Sequence, residues 1–344
     1  MIKVQNIYYM LAYAFQILHE QGYKDVAAEN FQNTAELLAA ILCHGVSVQV
    51  KRGLGKQYIT KEEALSSPRG KIEVSESIKT QAIRKKQLFC AYDEFLVDSY
   101  PNRIIKTTME TLLRANITKA RKKELRKLLI FFDEVSVLDK HDINWNLQYD
   151  RNNQTYRMLV EICRLVLKGL LQTNADGTTR IMDYLDEQTM PKLYEKFILG
   201  YFQREHPELK TYSPQIDWQL NDGFRAMLPA MQTDIVLMNK KARRTLIIDA
   251  KYYSHNTQMK GIYTAQTIHS GNLYQIFTYV KNWDAEPDET VSGMLLYART
   301  DDATQPGNDY QMSGNKISVK TLDLHCDFAV IAAQLDAIAA TIAE

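Results

Sequence analysis

The chain has 344 residues, and its 42 Lys plus Arg against 41 Asp plus Glu leave a formal net charge of +1. With 45% hydrophobic and 24% charged residues, the composition is that of a globular protein and excludes a disordered or fibrous chain. Near-neutrality argues against tight binding of nucleic acid by charge alone, and the length predicts two domains.

The N-terminal segment is apolar, but Lys3, Gln5 and Asn6 interrupt it. It therefore predicts a packed amphipathic helix rather than a signal peptide. The chain contains no run of about 18 apolar residues, so no membrane-spanning helix is predicted. The four cysteines are far apart and include no CxxC pair, which predicts reduced thiols and a cytoplasmic protein.

Helices and short strands alternate in the first 150 residues. Apolar periodicity predicts helices at residues 7–18, 37–42 and 107–132, and the run 45–50 predicts a strand. The polar stretch 144–154 is the best candidate for a boundary. We therefore expect a mixed α and β N-terminal domain over residues 1–150 and a second domain over residues 151–344.

Positive charge is concentrated in the first domain. Residues 51–127 hold 19 Lys plus Arg against 9 Asp plus Glu, a local net charge of +10. The density is highest between Lys119 and Lys127, where apolar residues occupy the opposite helical face. Two interpretations are open: a solvated helix surface, or a patch that contacts phosphates or a partner. The candidates in this run are Lys119, Arg121, Lys122 and Lys123.

The second domain begins with a helical pattern at Pro191, a residue that fits the first turn of a helix. Strand-like runs follow at residues 216–220, 224–228, 233–238 and 245–252, the first two joined by a turn at 221–223. Ser270 is predicted to cap the next helix. A strand at 291–297 and a helix at 328–342 complete the pattern, so the fold class is α+β.

Two aspartates on neighbouring strands form the strongest chemical pattern. If the turn between residues 233–238 and 245–252 is centred between Lys241 and Ala242, paired residues have numbers that sum to 483, and Asp234 lies opposite Asp249. Directly opposed side chains have Cβ atoms roughly 4.5–5.5 Å apart. Two carboxylates at that separation repel each other unless a cation lies between them.

Lys251 follows Asp249 by two residues and therefore emerges on the same face of the strand. Two carboxylates and an ammonium suit metal-assisted phosphodiester hydrolysis, with Mg²⁺ held by Asp234 and Asp249 and with Lys251 stabilising negative charge. The alternative is a surface ion pair between Asp249 and Lys251 at a strand end. Asp-x-Lys alone is common, and the matched aspartate makes the pattern more specific.

Asp234…Asp249-Ala-Lys251 resembles the PD-(D/E)xK nuclease motif. Most of the chain, from about residue 6 to residue 280, resembles the McrC subunit of McrBC-type, modification-dependent restriction systems. Blocks similar to McrC occur in McrC order: Asn6-Ile-Tyr-Tyr-Met-Leu11, Arg69-Gly-Lys-Ile-Glu73, Asn102-Arg-Ile-Ile-Lys106, Leu228-Pro-Ala-Met-Gln-Thr-Asp-Ile235, Ile248-Asp-Ala-Lys-Tyr-Tyr253 and Asn272-Leu-Tyr-Gln275. One departure is Thr233, where the motif has Pro.

The resemblance implies a restriction-endonuclease-like domain over residues 151–344 and an N-terminal domain that docks onto a separate McrB-like AAA+ GTPase, a hexameric ring. It implies a Mg²⁺-dependent endonuclease that cuts double-stranded DNA containing 5-methylcytosine, active only with that GTPase and stimulating it. The chain lacks a G-x-x-x-x-G-K-[ST] phosphate loop, so nucleotide hydrolysis is expected of the partner.

Other residues are weaker candidates. Glu195 lies one turn into the helix before the strands, where a helix carboxylate helps to hold the metal in many nucleases of this fold; a solvated flank is the alternative. Gln275 and Tyr279 lie four residues apart, away from the apolar stripe of their helix, and are candidates for contacts with the scissile phosphate or the DNA backbone. The McrC-like blocks add candidates for contacts with DNA or the partner: Arg69, Lys71, Arg103 and Lys106.

Two rival functions are open. One is a non-catalytic adaptor that stimulates the GTPase, although an adaptor has no need of Asp234, Asp249 and Lys251. The other is a nuclease of the same fold that acts on unmodified DNA in a different defence complex.

Overall fold

The computed structural model describes residues 2–16, 31, 33–149, 154–171, 189–259, 266–284 and 288–343. The chain divides into two compact units: Leu38–Leu171, called here the basic unit, and Met1–Leu37 together with Gln172–Glu344, called here the sheet unit. The basic unit carries 24 Lys plus Arg against 15 Asp plus Glu, a net charge of +9, and the sheet unit carries 18 against 26, a net charge of −8. The balanced total therefore conceals two units of opposite sign.

The basic unit combines helices with an antiparallel sheet of strand order β1–β3–β2. In β1 and β3, Gln57 pairs with Leu96 and Leu65 pairs with Leu88. The elements in chain order are α2 (Thr34–Arg52, whose first turn belongs to the sheet unit), β1 (Gln57–Leu65), β2 (Lys71–Ile72), α3 (Val74–Lys79), a 3-10 turn (Ala82–Lys85), β3 (Leu88–Leu96), α4 (Tyr100–Arg114), α5 (Lys119–Leu129), a 3-10 turn (Ile130–Phe132) and α6 (Gln154–Leu171).

Helix α2 contradicts one prediction, because the run 45–50 is helical and not a strand. Alternating valines favour a strand on propensity. However, Leu38, Ile41, Leu42 and Val46 are fully buried at helical spacing, and this packing extends the helix through the valines.

The segment 107–132 is helical as predicted, but it forms two helices and not one. Helix α4 ends at Ala115, whose backbone is extended, and α5 begins after Thr118, whose hydroxyl accepts a hydrogen bond from the backbone N–H of Arg121 at 3.2 Å. Thr118 is therefore an N-cap, and the extended residues before it separate two helices.

The structural division also differs from a boundary at residue 150. Helix α6 follows that boundary but packs on α4, where it buries Leu159, Ile162 and Val166. The stretch 144–149 is a polar surface loop within the basic unit, and such loops have the composition of linkers.

The sheet unit contains a six-stranded sheet of order β12–β13–β11–β8–β7–β4. The strands β8, β11 and β13 run parallel, and the remaining neighbours are antiparallel. The elements in chain order are α1 (Val4–Phe15), α7 (Met190–Glu205), β4 (Lys210–Tyr212), β5 (Gln215–Ile216), β6 (Met231–Gln232), β7 (Ile235–Asn239), β8 (Arg244–Lys251), β9 (Thr257–Met259), β10 (Gln266–Ile268), α8 (Ser270–Trp283), β11 (Val291–Ala298), β12 (Asn308–Met312), β13 (Asn315–Leu322) and α9 (Phe328–Ala340).

The core of this unit lies along the central strands. Residues 245–250 of β8 are all buried, as expected for a strand in the parallel part of a covered sheet. Helix α8 packs Ile276 and Val280 against Val236, Ile247 and the other members of one buried cluster. Helix α7, with Pro191 in its first turn as predicted, contacts β7 and β8.

Helix α1 belongs to the sheet unit, although it begins the chain. It packs on α7, and the buried amide of Asn6 donates hydrogen bonds to the carbonyls of Leu324 and Cys326, both at 2.8 Å. The N-terminal helical prediction is confirmed over residues 4–15; residues 17 and 18 lie outside the described part of the chain.

The hairpin predicted at residues 216–228 is largely wrong. Only the short strands β5 and β6 pair, and residues 217–230 form a loop with a turn at Gly223, whose φ is +70°. Side-chain hydrogen bonds, and not strand pairing, fix this loop. Trp218 Nε1 donates to the Pro229 carbonyl at 2.7 Å, and Asn282 Oδ1 accepts from the Gln219 N–H at 2.8 Å.

Ser270 is the first residue of α8 and not its cap, which is His269. The four cysteines form no disulfide, as predicted. Within the described residues, no helix has the length and apolar character needed to cross a membrane.

Candidate active site

Asp234 and Asp249 face each other as the sequence predicts. Strand β7 pairs with β8 so that Ile235 opposes Ile248 and Val236 opposes Ile247, which is the register with a sum of 483. Extending that register by one residue places Asp234 opposite Asp249. Asp234 Oδ2 also accepts a hydrogen bond from the backbone N–H of Ala250 at 2.8 Å, which fixes its carboxylate at the strand end.

Asp249 is a buried carboxylate, with 1% of its surface exposed. Among the described residues, the Lys251 ammonium approaches its Oδ2, and its Oδ1 has no hydrogen-bond partner. Burial raises the pKa of Asp249, and the neighbouring charge of Asp234 raises it further, while Lys251 opposes both effects. Burial also raises the pKa of Asp234, and the Ala250 N–H opposes that rise. The pair is therefore a strained anionic centre.

Lys251 lies at the end of β8 with its Nζ 2.8 Å from Asp249 Oδ2, and 14% of its side chain is exposed. Burial alone would lower the pKa of Lys251. The charge and hydrogen bond of Asp249 outweigh burial, so the pKa is raised. The residue is therefore a permanent ammonium ion and not a base at neutral pH.

Glu195 joins the centre from α7. It is half-buried, and its pKa is raised to about 7, first by burial and then by the negative charge of Asp234. Lys251 acts in the opposite direction. The helix thus brings a third carboxyl group within electrostatic reach of the two aspartates, which the sequence indicated only as a weak candidate.

Gln275 and Tyr279 on α8 reach the centre from the other side. Lys251 Nζ donates to Gln275 Oε1 at 3.1 Å, and Gln275 Nε2 donates to the Tyr279 hydroxyl at 2.8 Å. That hydroxyl donates to the Gln232 carbonyl at 2.9 Å. Tyr279 belongs to the buried core, so its predicted position away from the apolar stripe is wrong. Gln275 holds Lys251 and Tyr279 holds Gln275, and their predicted contacts with the scissile phosphate or the DNA backbone stay a prediction.

A neighbouring network was missed at the sequence level. Asn272, largely buried, donates to the Tyr297 hydroxyl at 2.9 Å and accepts from the Tyr253 hydroxyl at 3.2 Å. Tyr297 pairs with Lys251 across the parallel strands β8 and β11. The signal was available, because Asn272 and Gln275 are three residues apart on one helix face within a single McrC-like block.

The centre fits a hard divalent cation. Its donors are carboxylate oxygens, which Mg²⁺ prefers, and the single ammonium of Lys251 faces three carboxyl groups. The buried Oδ1 of Asp249, which has no hydrogen-bond partner among the described residues, is the kind of group that a cation satisfies. No cluster of three His, Cys, Asp or Glu side chains is preassembled for a metal in the described ranges, so two aspartates form the core of this arrangement and Glu195 lies further out.

In the basic unit, several basic candidates have internal partners. Arg103 forms two hydrogen bonds of 2.8 Å with Asp98 and holds the pKa of that carboxyl at about 2; Lys106 donates to the Val135 carbonyl at 2.7 Å. The guanidinium of Arg69 lies 4.6 Å from the ring centroid of Tyr92. These contacts stabilise the unit, and their predicted role with DNA or a partner stays a prediction.

The remaining basic candidates are more available. Lys71 pairs with Glu73 at 2.6 Å but stays exposed. Lys119 and Lys123 are exposed on α5, and Lys122 is partly exposed. Arg121 is mostly buried and pairs with Glu124 at 2.7 Å. The exposed face of α5 is thus formed by lysines and not by Arg121.

A sequence model of the McrBC 5-methylcytosine restriction system component matches residues 3–298. The chain belongs to this family. It is 28% identical to the type IV methyl-directed restriction enzyme EcoKMcrBC of Escherichia coli K12 over 97% of this chain and 96% of the relative. The fold resembles a structure of Thermococcus gammatolerans McrB AAA+ hexamers with bound McrC, with a TM-score of 0.51, 17% identity, and coverage of 97% of this chain and 76% of that chain.

The family match includes all six residues of the centre: Glu195, Asp234, Asp249, Lys251, Gln275 and Tyr279. The resemblance drawn from the six sequence blocks is therefore confirmed. As a member of the McrBC family, the chain is a component of a restriction system, and a nuclease is the activity that such a system requires.

Proposed function

We propose that this McrBC family member is the nuclease subunit of a GTP-dependent restriction complex that hydrolyses phosphodiester bonds in double-stranded DNA containing 5-methylcytosine. The observation that carries the proposal is the register of β7 and β8, which opposes Asp234 and Asp249 beside the ammonium of Lys251. An ion pair with a purely structural role would need one carboxylate beside Lys251, whereas this centre contains both Asp234 and Asp249.

The cation that fits this centre is Mg²⁺, which Asp234 and Asp249 would hold with Glu195 as a further oxygen donor. When bound, Mg²⁺ supplies Lewis acidity and lowers the pKa of a coordinated water. The centre, the sheet and α7 together support assignment of the sheet unit to the PD-(D/E)xK nucleases.

The chain's own residues supply the rest of the chemistry. Lys251 remains protonated and stabilises the negative charge that develops on the scissile phosphate. Gln275, tied to Tyr279, holds the ammonium in place. The pKa of Glu195 is raised to about 7 by burial and by the charge of Asp234, so a cation that neutralises this negative charge would favour the carboxylate form that can bind it.

The partner is proposed to be an McrB-like AAA+ GTPase. The chain lacks a phosphate-binding loop of its own, and the T. gammatolerans structure contains McrC bound to McrB hexamers. The N-terminal half, with its net positive unit, is the proposed docking and DNA-contacting part. Four cysteines without disulfides suit the reducing cytoplasm where such a complex would meet invading DNA.

The test uses the purified chain with the GTPase encoded beside it, GTP, Mg²⁺ and methylated DNA. We expect cleavage by the wild-type pair, none by Asp249→Ala, and near-normal stimulation of GTP hydrolysis by both. Asp222→Ala is the matched control, because Asp222 is an exposed aspartate on a loop of the same unit. Equal cleavage by Asp249→Ala and wild type would overturn the site, and cleavage without the GTPase would overturn the dependence.

A further inference from the structure

The basic unit contains a cavity that the nuclease centre does not use. Its volume is about 260 Å³, and three tyrosines line it: Tyr100, Tyr149 and Tyr156. The cavity is smaller than the roughly 300–1,000 Å³ of a pocket for a drug-sized ligand. The cavity therefore has room for a small group such as a single ring system.

Hydrogen bonds fix two of these rings in advance. The Tyr156 hydroxyl accepts from the Gly55 N–H at 2.7 Å and donates to Asn102 Oδ1 at 2.7 Å, and a Cβ at Gly55 would lie 3.0 Å from the Tyr156 ring. The Tyr100 hydroxyl accepts from the Asn144 N–H at 2.8 Å. A preorganised aromatic wall binds a flat ligand without losing side-chain entropy.

The third ring carries an unusual hydroxyl. The Tyr149 oxygen is shut off from solvent and has no hydrogen-bond partner in the described part of the chain. Burial raises the pKa of Tyr149 to about 12. Buried polar groups without partners are rare in native proteins and call for an explanation. An unpartnered hydroxyl on a residue that lines a cavity is the kind of group that a bound ligand satisfies.

The polar side chains around the cavity indicate the ligand class. Gln57 and Gln148 are exposed at the lining and offer amide donors and acceptors, the groups that read the edge of a nucleobase. Lys56 is exposed beside them, and Lys51 and Arg52 are exposed just before it in the chain. The unit has a net charge of +9, which favours a ligand that carries phosphate over a basic peptide.

We propose that this cavity binds one unpaired nucleobase of DNA, stacked on a tyrosine ring with its edge toward the glutamines and its adjoining phosphate near Lys56. The choice of DNA as ligand rests on the proposed function, but binding at this site does not require the nuclease centre. The site would give the basic unit a preference for distorted or locally opened DNA over intact duplex.

The test measures the affinity of the Asp249→Ala full-length chain for two labelled duplexes in EDTA, one fully paired and one with a single bulged 2-aminopurine. We expect the bulged duplex to bind about ten-fold more tightly, since stacking one base on an aromatic side chain is worth about that factor or more. The 2-aminopurine fluorescence should fall on binding, as expected for a stacked base.

Introduced into this chain, Tyr100→Leu should remove the preference, and Phe131→Leu, at an exposed aromatic residue elsewhere in the same unit, should keep it. Lys56→Gln, at an exposed position, should weaken binding of the bulged duplex several-fold and covers the case in which Tyr100→Leu fails to fold. Equal affinity of the Asp249→Ala chain for both duplexes would overturn the proposal. The proposal would also be overturned if Tyr100→Leu and Lys56→Gln both kept the preference for the bulged duplex. It would be overturned as well if these variants lost assembly with the GTPase while their DNA binding was unchanged. Failure of the nuclease proposal would appear only in cleavage, which this measurement does not involve.

Discussion

Lys251 donates a hydrogen bond to Gln275 Oε1 at 3.1 Å, which joins the end of β8 to the middle of α8. Gln275 is in turn tied through Tyr279 to the carbonyl of Gln232, two residues before Asp234. One continuous set of hydrogen bonds therefore joins the ammonium to the backbone just before the first aspartate of the centre. This relationship makes Gln275 and Tyr279 positioning residues, and the first two predictions follow from it.

Replacing Gln275 should slow cleavage without unfolding the chain. In Gln275→Ala, Lys251 keeps its contact with Asp249 but loses its hydrogen bond to Gln275. We expect the turnover rate to fall about 10–100-fold with little change in KM, because a misplaced ammonium ion weakens binding mainly of the transition state. Gln275→Glu keeps an acceptor for Lys251 and should recover part of the rate. Gln311→Ala, on the exposed strand β12, is the control and should match wild type. A variant that changes only KM would contradict the positioning role.

Tyr279→Phe should cost stability and activity together. The ring stays in the core, but the hydroxyl that accepts from Gln275 and donates to Gln232 is lost, at about 1 kcal/mol of unfolding free energy. Urea unfolding measures this change, and cleavage should fall several-fold. Tyr310→Phe removes a hydroxyl from an exposed tyrosine and should leave both properties unchanged. Equal losses in the two variants would show that the hydrogen bonds to Tyr279 have no special role.

The raised pKa of Glu195 predicts a dependence of stability on pH. The folded chain binds the Glu195 proton up to about pH 7, whereas the unfolded chain releases it near pH 4.5, so the contribution of Glu195 to stability falls as the pH rises through that window. Glu195→Gln should therefore be more stable than wild type at pH 8, by about 1 kcal/mol after allowance for the solvent that reaches this half-buried side chain.

At pH 4.5 that advantage of Glu195→Gln should disappear. Chemical denaturation at several pH values without divalent ions measures both ends of the window, and Glu289→Gln, an exposed glutamate of the same unit, is the control. A constant difference between Glu195→Gln and wild type across pH 4.5–8 would contradict the assignment.

Mg²⁺ should stabilise the wild-type chain. A ligand that binds only the folded state adds about 2.7 kcal/mol at a concentration 100 times its dissociation constant, so the melting temperature should rise by several degrees with added Mg²⁺. Asp234→Ala and Asp249→Ala should show no such rise. Binding should also release protons, because the pKa values of Glu195 and Asp249, both raised to about 7, leave these two carboxyl groups partly protonated near neutral pH. Equal Mg²⁺ stabilisation in all three proteins would place the ion elsewhere.

Charge reversal on α5 tests the exposed lysine face. Lys122→Glu with Lys123→Glu should weaken binding to DNA or to the GTPase about ten-fold or more at low salt, and the effect should shrink as salt is added. The melting temperature should stay within a few degrees of wild type, because neither side chain is buried. Unchanged binding would identify this face as an ordinary solvated surface.

The central motif was predictable because hairpin geometry converts sequence spacing into contacts. The position of the turn at Lys241 and Ala242 was enough to predict that Asp234 lies opposite Asp249, and the observed register is the predicted one. Glu195 was harder to assign, because its distance from the aspartates depends on the angle at which α7 crosses the strands. No local sequence pattern encodes that angle. Tyr279 was assigned to the wrong environment because its ring packs in the core while its hydroxyl serves the site.

Tertiary packing explains the other failures. The valines at 46, 48 and 50 have strand propensity, yet burial of Val46 with the leucines before it keeps them helical. The strands β1, β3, β12 and β13 were not predicted, since their partners are set by the sheet and their own patterns are weak. Residues 1–37 were placed with the first domain because sequence proximity is a poor guide to which core a helix joins.

Helix α1 has a consequence for how the chain is made. Asn6 bonds to carbonyls more than 300 residues later, and Lys3 pairs with Asp327 at 2.5 Å. During synthesis the basic unit emerges complete while α1 still lacks α7 and the residues near 324–326 that it contacts, so the sheet unit is expected to close last. The core of that unit therefore depends on contacts of very long sequence separation, which form slowly because a long loop has to close first.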